Sequence, residues 1–333
     1  MLKNPNTITN RPKPTPAWSV DALTDILKTV HLEGSLYYRS ELTAPWGMSV
    51  PESTAAQFHV VRRGRCYLSI PDETREPLSM ESGDLVLLSH GPRHALADSP
   101  ATHPIPITDI LSQVGRTFED CHMPLRYGGP GAETHLICGY FEFESGHVHP
   151  LLAALPNLIV IRGEGGRPLP WLESILDLLS IEVDSRRPGT ETVVNRLTET
   201  MLIQILRAYL ATASEESASW LQGLKDPQIG QALGIIHRQP DESWTIDSLA
   251  STVGMSRSGF ADRFRSLIGE PPMQYLTKWR MELAATHLRR SRRSLSEIAG
   301  MVGYQAEPAF SRVFKKLWGT SPGAYRRSTA SSQ

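Results

Sequence analysis

With 333 residues, of which 40% are hydrophobic and 21% charged, the chain is too long for one compact core and too apolar for global disorder, so at least two folded domains are expected. No apolar run approaches the roughly 18–20 residues that cross a bilayer, which excludes a helical membrane span and points to a cytoplasmic protein. The formal charge of −1 hides an asymmetry: residues 225–333 carry 16 Lys and Arg against 9 Asp and Glu, while the rest carries 18 against 26, so the rear of the chain is suited to a polyanion.

The first 20 residues are rich in proline and asparagine where a signal peptide has its apolar core, and they read as a flexible tail over 1–20. Residues 21–165 are expected to form a β domain. QFHVV, RCYLSI, DLVLLS and HLICGYFEF read as strands separated by Gly, Pro and Asp clusters. Cys66, Cys121 and Cys138 are too few and too scattered for a disulfide framework or a zinc ribbon, as expected of a reducing compartment. Over 166–212 the period changes. Leu172, Ile175, Leu176 and Leu179, then Val194, Leu197, Met201 and Ile205, recur at helical spacing on either side of Pro188-Gly189. The second stripe can cover the β domain or pair with a second chain, and pairing into a homodimer is the expectation. Residues 213–224 contain small polar residues without apolar periodicity and read as a linker.

Residues 225–330 read as helix throughout and contain a repeat. Leu249-Ala250 with Val253-Gly254 is echoed by Ile298-Ala299 with Val302-Gly303; Phe260, Phe264, Gly269, Pro272 and Tyr275 return as Phe310, Phe314, Gly319, Pro322 and Tyr325. Each copy predicts a helix, a glycine turn and a second helix pinned by two phenylalanines, which is the helix-turn-helix pattern. At about 100° per residue, a buried stripe of Phe260, Phe264 and Leu267 turns Ser258, Asp262 and Arg265 outward. A stripe of Phe310, Phe314 and Leu317 likewise turns Pro308, Arg312 and Lys315 outward. Arginine and lysine on such a face suit guanine edges and phosphate.

The segments WTIDSLASTVGMSRSGFADRFRSLIGEPPMQYLTKWRMELA and SLSEIAGMVGYQAEPAFSRVFKKLWGTSPGAYRR resemble the DNA-binding domain of the AraC/XylS family of bacterial transcription regulators. The resemblance implies two helix-turn-helix motifs joined by a long helix over 272–289, double-stranded promoter DNA and RNA polymerase as partners, activation of transcription, and a homodimer. With the outward faces, it gives Ser256, Arg257, Ser258, Asp262, Arg265, Gln305, Glu307, Arg312, Lys315 and Lys316 as candidate DNA contacts. Two departures stand out. Asp262 occupies a position where relatives carry a basic or amide residue, and it suits a cytosine amino group. Pro308 is tolerated in a first helical turn but offers no polar base contact.

APWG (44–47), FHVVRRG, SGDLVLLSHGPRH, PLRYGG and HPLLAALP, after an opening that reads VDALTDIL, resemble the cupin-type sensor domain of one AraC subfamily. The fold class implied is therefore α+β and multidomain: an N-terminal cupin-like β-barrel with trailing helices, then an all-α double helix-turn-helix domain. Metal-binding cupins supply a His-x-His and a Glu from one strand pair and a further His after a Gly-Asp turn. Here Gly83-Asp84 and His94 match, Gln57 stands at the Glu position, and the His-x-His positions lack histidine. No metal, cofactor or catalytic residue is expected, and the chain is read as a regulator and not an enzyme. A metal-dependent cupin enzyme is the remote alternative. Trp46, Gln57, His59 and His94 are the candidate contacts for a small-molecule effector, against the plainer reading of Trp46 as core and of both histidines as structural. Gln57 and His59 share strand parity, so both face one side. His147 and His149 form a His-x-His before Pro150, where a metal site is not expected. A competing mechanism is redox sensing, for which Cys121 beside His122 is the candidate, while Cys66 and Cys138 sit in strand patterns.

Overall fold

A computed structural model describes residues 32–71, 76–117, 123–143, 155–185, 187–212, 223–224 and 226–330. The expected tail, the opening at 20–27, Cys121 and His122, His147 and His149, and most of the linker lie outside the described residues. The described residues form two compact units, one over 32–212 and one over 223–330.

The first unit is built on two sheets. The larger has the order β11 (Leu158–Ile161), β6 (Leu85–Leu88), β3 (Ala56–Arg63), β10 (Glu133–Phe143), β1 (Leu32–Thr43) and β9 (Leu125–Gly128). The smaller runs β5 (Leu78–Glu81), β4 (Arg65–Ser69), β7 (His94–Ala97), β2 (Gly47–Val50) and β8 (Ile105–Pro106). Both are mixed: β1 pairs with β9, and β2 with β8, in parallel, while the other pairings are antiparallel. One core draws on both sheets, with Leu42, Val61, Val86 and Leu136 from the larger and Met48, Leu68, Met80 and Leu96 from the smaller. Asp84 explains the Gly-Asp turn. Its buried carboxylate accepts from the Glu81 and Gly163 amides and pairs with Arg162 at 2.6 Å, tying the β5–β6 turn to the end of β11. Gly83 has φ +98°, and a side chain there would collide with the Arg167 backbone, so no other residue fits.

A short helix α1 (Ile107–Gln113) plugs the smaller sheet, and α2 (Pro170–Ser185) and α3 (Thr190–Thr212) follow the strands. The apolar stripe of α2 is buried. Its opposite end is anchored by charge: Arg39 of β1 grips Asp184 through both guanidinium nitrogens, and Arg62 of β3 reaches Asp177 at 3.0 Å. The expectation that the α3 stripe faces a second chain is corrected. Val194, Met201 and Ile205 are buried inside their own unit, against α2, β1 and β11. The apolar side chains left exposed here are Leu178 (52%), Ile181 (64%) and Val193 (41%).

The second unit holds α4 (Pro227–Arg238), α5 (Ile246–Thr252), α6 (Arg257–Ile268), α7 (Pro272–Arg290), α8 (Leu295–Met301), α9 (Glu307–Trp318) and α10 (Pro322–Ala330). The sequence repeat becomes a structural one. α5 and α8 each open with a capping box, Thr245 with Ser248 and Ser294 with Glu297, which satisfies donors the helix cannot. α6 and α9 each close on a left-handed glycine, Gly269 and Gly319. The buried stripes differ from the expected ones in their last member: Leu267 is half-buried and Leu317 exposed, while Ile268 and Trp318 fill the core. The stripe steps by four residues twice, because the rings of Phe314 and Trp318 stack at 5.6 Å beneath Tyr325.

Arg280 on α7 ties the two halves of this unit together. Its guanidinium donates to the Pro240 carbonyl at 2.6 Å and the Glu242 carbonyl at 2.8 Å, and lies over the Tyr304 ring at 5.8 Å. Gly303 sits at φ +78°, which favours glycine, and a Cβ there would approach the Asp241 carbonyl at 2.9 Å as well as this guanidinium at 2.7 Å. Two charge-assisted hydrogen bonds and a cation–π contact lie at one half-buried group, so Arg280→Ala is expected to destabilise the second unit by about 2–4 kcal/mol. Chemical denaturation followed by circular dichroism checks this; a loss below about 1 kcal/mol would mean the clamp is idle.

Candidate nucleic-acid interface and effector cavity

Burying the phenylalanines leaves one face of α6 and one of α9 in solvent. Ser256, Arg257, Ser258, Asp262, Arg265, Gln305, Glu307, Arg312, Lys315 and Lys316 are all exposed. Their chemical situations differ. The Ser256 hydroxyl caps α6 by accepting from the Gly259 amide at 3.2 Å. Arg257 pairs with Asp247 at 3.2 Å. Arg263, also on α6, binds Asp226, whose carboxylate in turn caps α4. By contrast, no hydrogen bond or ion pair engages the side chains of Arg265, Arg312, Lys315 or Lys316 among the described residues. The α9 cations are therefore available to an outside anion, and Pro308 sits in the first turn of that helix.

The first unit contains a cavity of about 350 Å³ on the inner face of the larger sheet, within the usual range for small-molecule sites. Strand register builds one wall. His59, Cys138 and Tyr38 lie side by side across β3, β10 and β1, and Gln57 is opposite Tyr140. Met48, Ile107, Leu111 and Leu125 make the remainder largely apolar. Gln57 and His59 thus line one cavity, as their parity predicted. His94 does not line it but stands behind His59, with the two Nε2 atoms 2.8 Å apart. Trp46 is packed in the core and does not line the cavity.

Burial holds the His59 imidazole well below its ordinary pKa, with His94 adding to the effect. Burial also lowers His94, against the opposing hydrogen bond to the Pro92 carbonyl. Both are neutral at physiological pH. Among the described residues no cluster of three or more His, Cys, Asp or Glu is placed to hold a metal, and His59 and His94 spend facing nitrogens on each other, so the residues present do not fit a resident cupin metal. Burial, reinforced by Asp84, pushes the Cys66 thiol up to about 12, and Cys138 is raised further by burial and by Cys66. Neither is a thiolate at neutral pH, which suppresses redox chemistry at both.

Sequence reasoning did not find Ser53 and Pro92, whose backbone and side-chain groups orient Gln57 and His94. Both are loop residues that match no spacing rule, and only their three-dimensional hydrogen bonds reveal them.

Comparison with known proteins bears on both units. Residues 21–211 match a family model described as cupin, and residues 249–328 one described as a helix-turn-helix domain. An AraC-like transcription regulator of Streptomyces lividans is 32% identical over 311 residues, covering 92% of this chain and 98% of that protein. The transcriptional regulator AlkR of Acinetobacter baylyi is 31% identical over 312 residues, covering 92% and 99%. The chain belongs to the AraC-like transcription regulators. Among solved structures, this regulator is similar to the DNA-binding domain of AdpA in complex with a target DNA, at 32% identity, covering 32% of this chain and 96% of that one with a TM-score of 0.31. It is also similar to ToxT of Vibrio cholerae bound to an unsaturated fatty acid, at 12% identity, 88% and 95% coverage and a TM-score of 0.35. By its two family models and its relatives the regulator is a DNA-binding protein with a cupin domain, and none of its described helices is long and apolar enough to cross a membrane.

Because both folded imidazoles titrate below their ordinary pKa, the unfolded chain takes up protons that the folded unit refuses as pH falls through about 6.5, and stability is lost on that side. Scanning calorimetry should show the first unit's midpoint falling between about pH 7 and pH 5, and falling less in His59→Phe. Identical pH profiles for the two proteins would show that His59 is not held neutral by the fold.

Proposed function

We propose that this regulator binds promoter DNA through both helix-turn-helix units, with α9 reading sequence, and that a small molecule held in the cupin-unit cavity controls that binding. The observation that carries the reading is the unspent set Arg312, Lys315 and Lys316 on the exposed face of a duplicated helix-turn-helix. Residues 21–165 close as a cupin barrel in this reading, 213–224 link, and 225–330 contact DNA. The protein works in the cytoplasm as an activator that engages RNA polymerase, in keeping with its family, and no catalytic step is assigned to it.

Arg312 lies near the centre of the exposed face, opposite Phe310, whereas Lys315 and Lys316 lie about a turn further along. Arg312 therefore meets a base and the lysines meet phosphate. Arg312→Ala should remove about 1–3 kcal/mol of discrimination at one base pair while sparing non-specific binding. Lys315→Ala should weaken operator and scrambled duplexes alike and reduce the salt slope by about one counterion. Titrations of both duplexes at two salt concentrations test this. Equal loss on both duplexes for Arg312→Ala would make it a phosphate clamp and overturn the orientation of α9.

Homodimerisation within 166–212 is retained in this reading, with its face moved from the α3 stripe to Leu178 and Ile181, which lie about one turn apart on α2 and are exposed. The double variant Leu178→Glu, Ile181→Glu is expected to sediment as a monomer at micromolar concentration where the parent is a dimer. A monomeric parent, or a variant that remains dimeric, removes this face from the assembly.

A further inference from the structure

Two hydrogen-bond relays end at the cavity wall, and each can be followed from a backbone carbonyl inward. The Ser53 hydroxyl donates its single proton to the Ala55 carbonyl at 3.2 Å, so its oxygen must accept from Gln57, whose Nε2 lies 2.9 Å away. That fixes the amide orientation and leaves Gln57 Oε1 as an acceptor with no donor. In the second relay, His94 Nδ1 lies 2.8 Å from the Pro92 carbonyl and must be the N–H. Neutral His94 then presents a lone pair at Nε2, which accepts from His59 Nε2 at 2.8 Å. His59 Nδ1 is left bare, and it too is buried without a partner.

Gln57 and His59 are two residues apart on β3 and face the same side, both more than nine-tenths buried and both in the cavity wall. Two independent relays therefore give two residues of one cavity wall the same polarity: lone pairs without protons. An orphaned buried acceptor is costly, and a pair of them beside an apolar cavity is the pattern of a site completed by a ligand's donor. The surroundings narrow the choice. The carboxylate that the described residues place at the cavity wall, Glu142, is solvent-exposed, so among these residues a buried ammonium beside the pair would find no buried counter-charge. A carboxylate would set acceptor against acceptor.

We propose that the effector is a compact, mostly apolar, uncharged molecule whose hydroxyl-type donor pairs with Gln57 Oε1 or His59 Nδ1, each O–H proton serving one of these acceptors. This rests on the effector reading above and adds the chemical class. The test uses full-length protein and four short-chain probes in calorimetric titrations: 1-hexanol, its isomer dipropyl ether, hexanoate and hexylammonium. Hexanol is expected to bind about tenfold or more tightly than the ether, which has the same atoms but no donor, and more tightly than either ion. In Gln57→Met and in His59→Phe the gap between alcohol and ether should narrow, and in the double variant it should close to within about twofold. The ranking with the unaltered protein decides the matter even if a variant fails to fold. Equal binding of alcohol and ether, or tighter binding of either ion, overturns the donor assignment and leaves the effector cavity standing. Binding of none of the four overturns both.

Discussion

Two phenylalanines one turn apart set the rotation of each of α6 and α9 about its own axis, and much of the second unit follows from that. Phe260 and Phe264 lie with ring centroids 5.6 Å apart, Phe310 and Phe314 at 5.7 Å, and all four are fully buried. Tyr275 meets Phe264 edge-on at 5.8 Å, and Tyr325 meets Phe314 at 5.5 Å. Each tyrosine hydroxyl is then caught by a buried or half-buried partner, Tyr275 by His237 and Tyr325 by Arg289. An aromatic that is buried at one edge and hydrogen-bonded at the other cannot slide. The residues left facing solvent on α6 and α9 are thus chosen by the core, not by one another.

That logic made the second unit legible in the sequence. The repeated phenylalanines, glycines and tyrosines are local signals with fixed spacing, and the caps at Ser294–Glu297 and the turns at Gly254 and Gly303 obey them. The errors came where three dimensions override period. Leu267 and Leu317 fit a step of seven, yet Ile268 and Trp318 take the core because each stripe steps by four twice. The α3 stripe was seen but its partner was not, because periodicity reports that a face is apolar and says nothing of what covers it. Arg39 and Arg62, which dock α2 on the larger sheet, reach acids more than 100 residues away and carry no sequence signature.

The cavity shows the same division. Strand alternation placed Gln57 and His59 on one face, and the register confirms that face as the inner one. Their chemical polarity was out of reach, because it is imposed from loops. A carbonyl two residues before His94 selects its tautomer, and through it the lone pair on a histidine 35 positions away. Histidine is neutral here and acts only by which nitrogen holds the proton. Desolvation is what keeps it so: a protonated His59 would carry a buried charge with no anion beside it, and His94 would lose the acceptor role that orients the pair.

Charge alone would rank α6 and α9 equally, since α6 has three arginines against Asp262 and α9 has Arg312, Lys315 and Lys316 against Glu307. The ion pairs separate them. Arg257 is held by Asp247 and Arg263 by Asp226, so α6 offers Arg265 alone as an uncommitted cation, with Asp262 one turn away. An arginine already paired must surrender that contact before it binds a phosphate, and the exchange returns little net energy. The three cations of α9 have no such prior engagement, and Glu307 sits at the opposite end, where a negative side chain is favoured by the helix dipole. The helix with a proline in its first turn is thus the one with the most uncommitted positive charge.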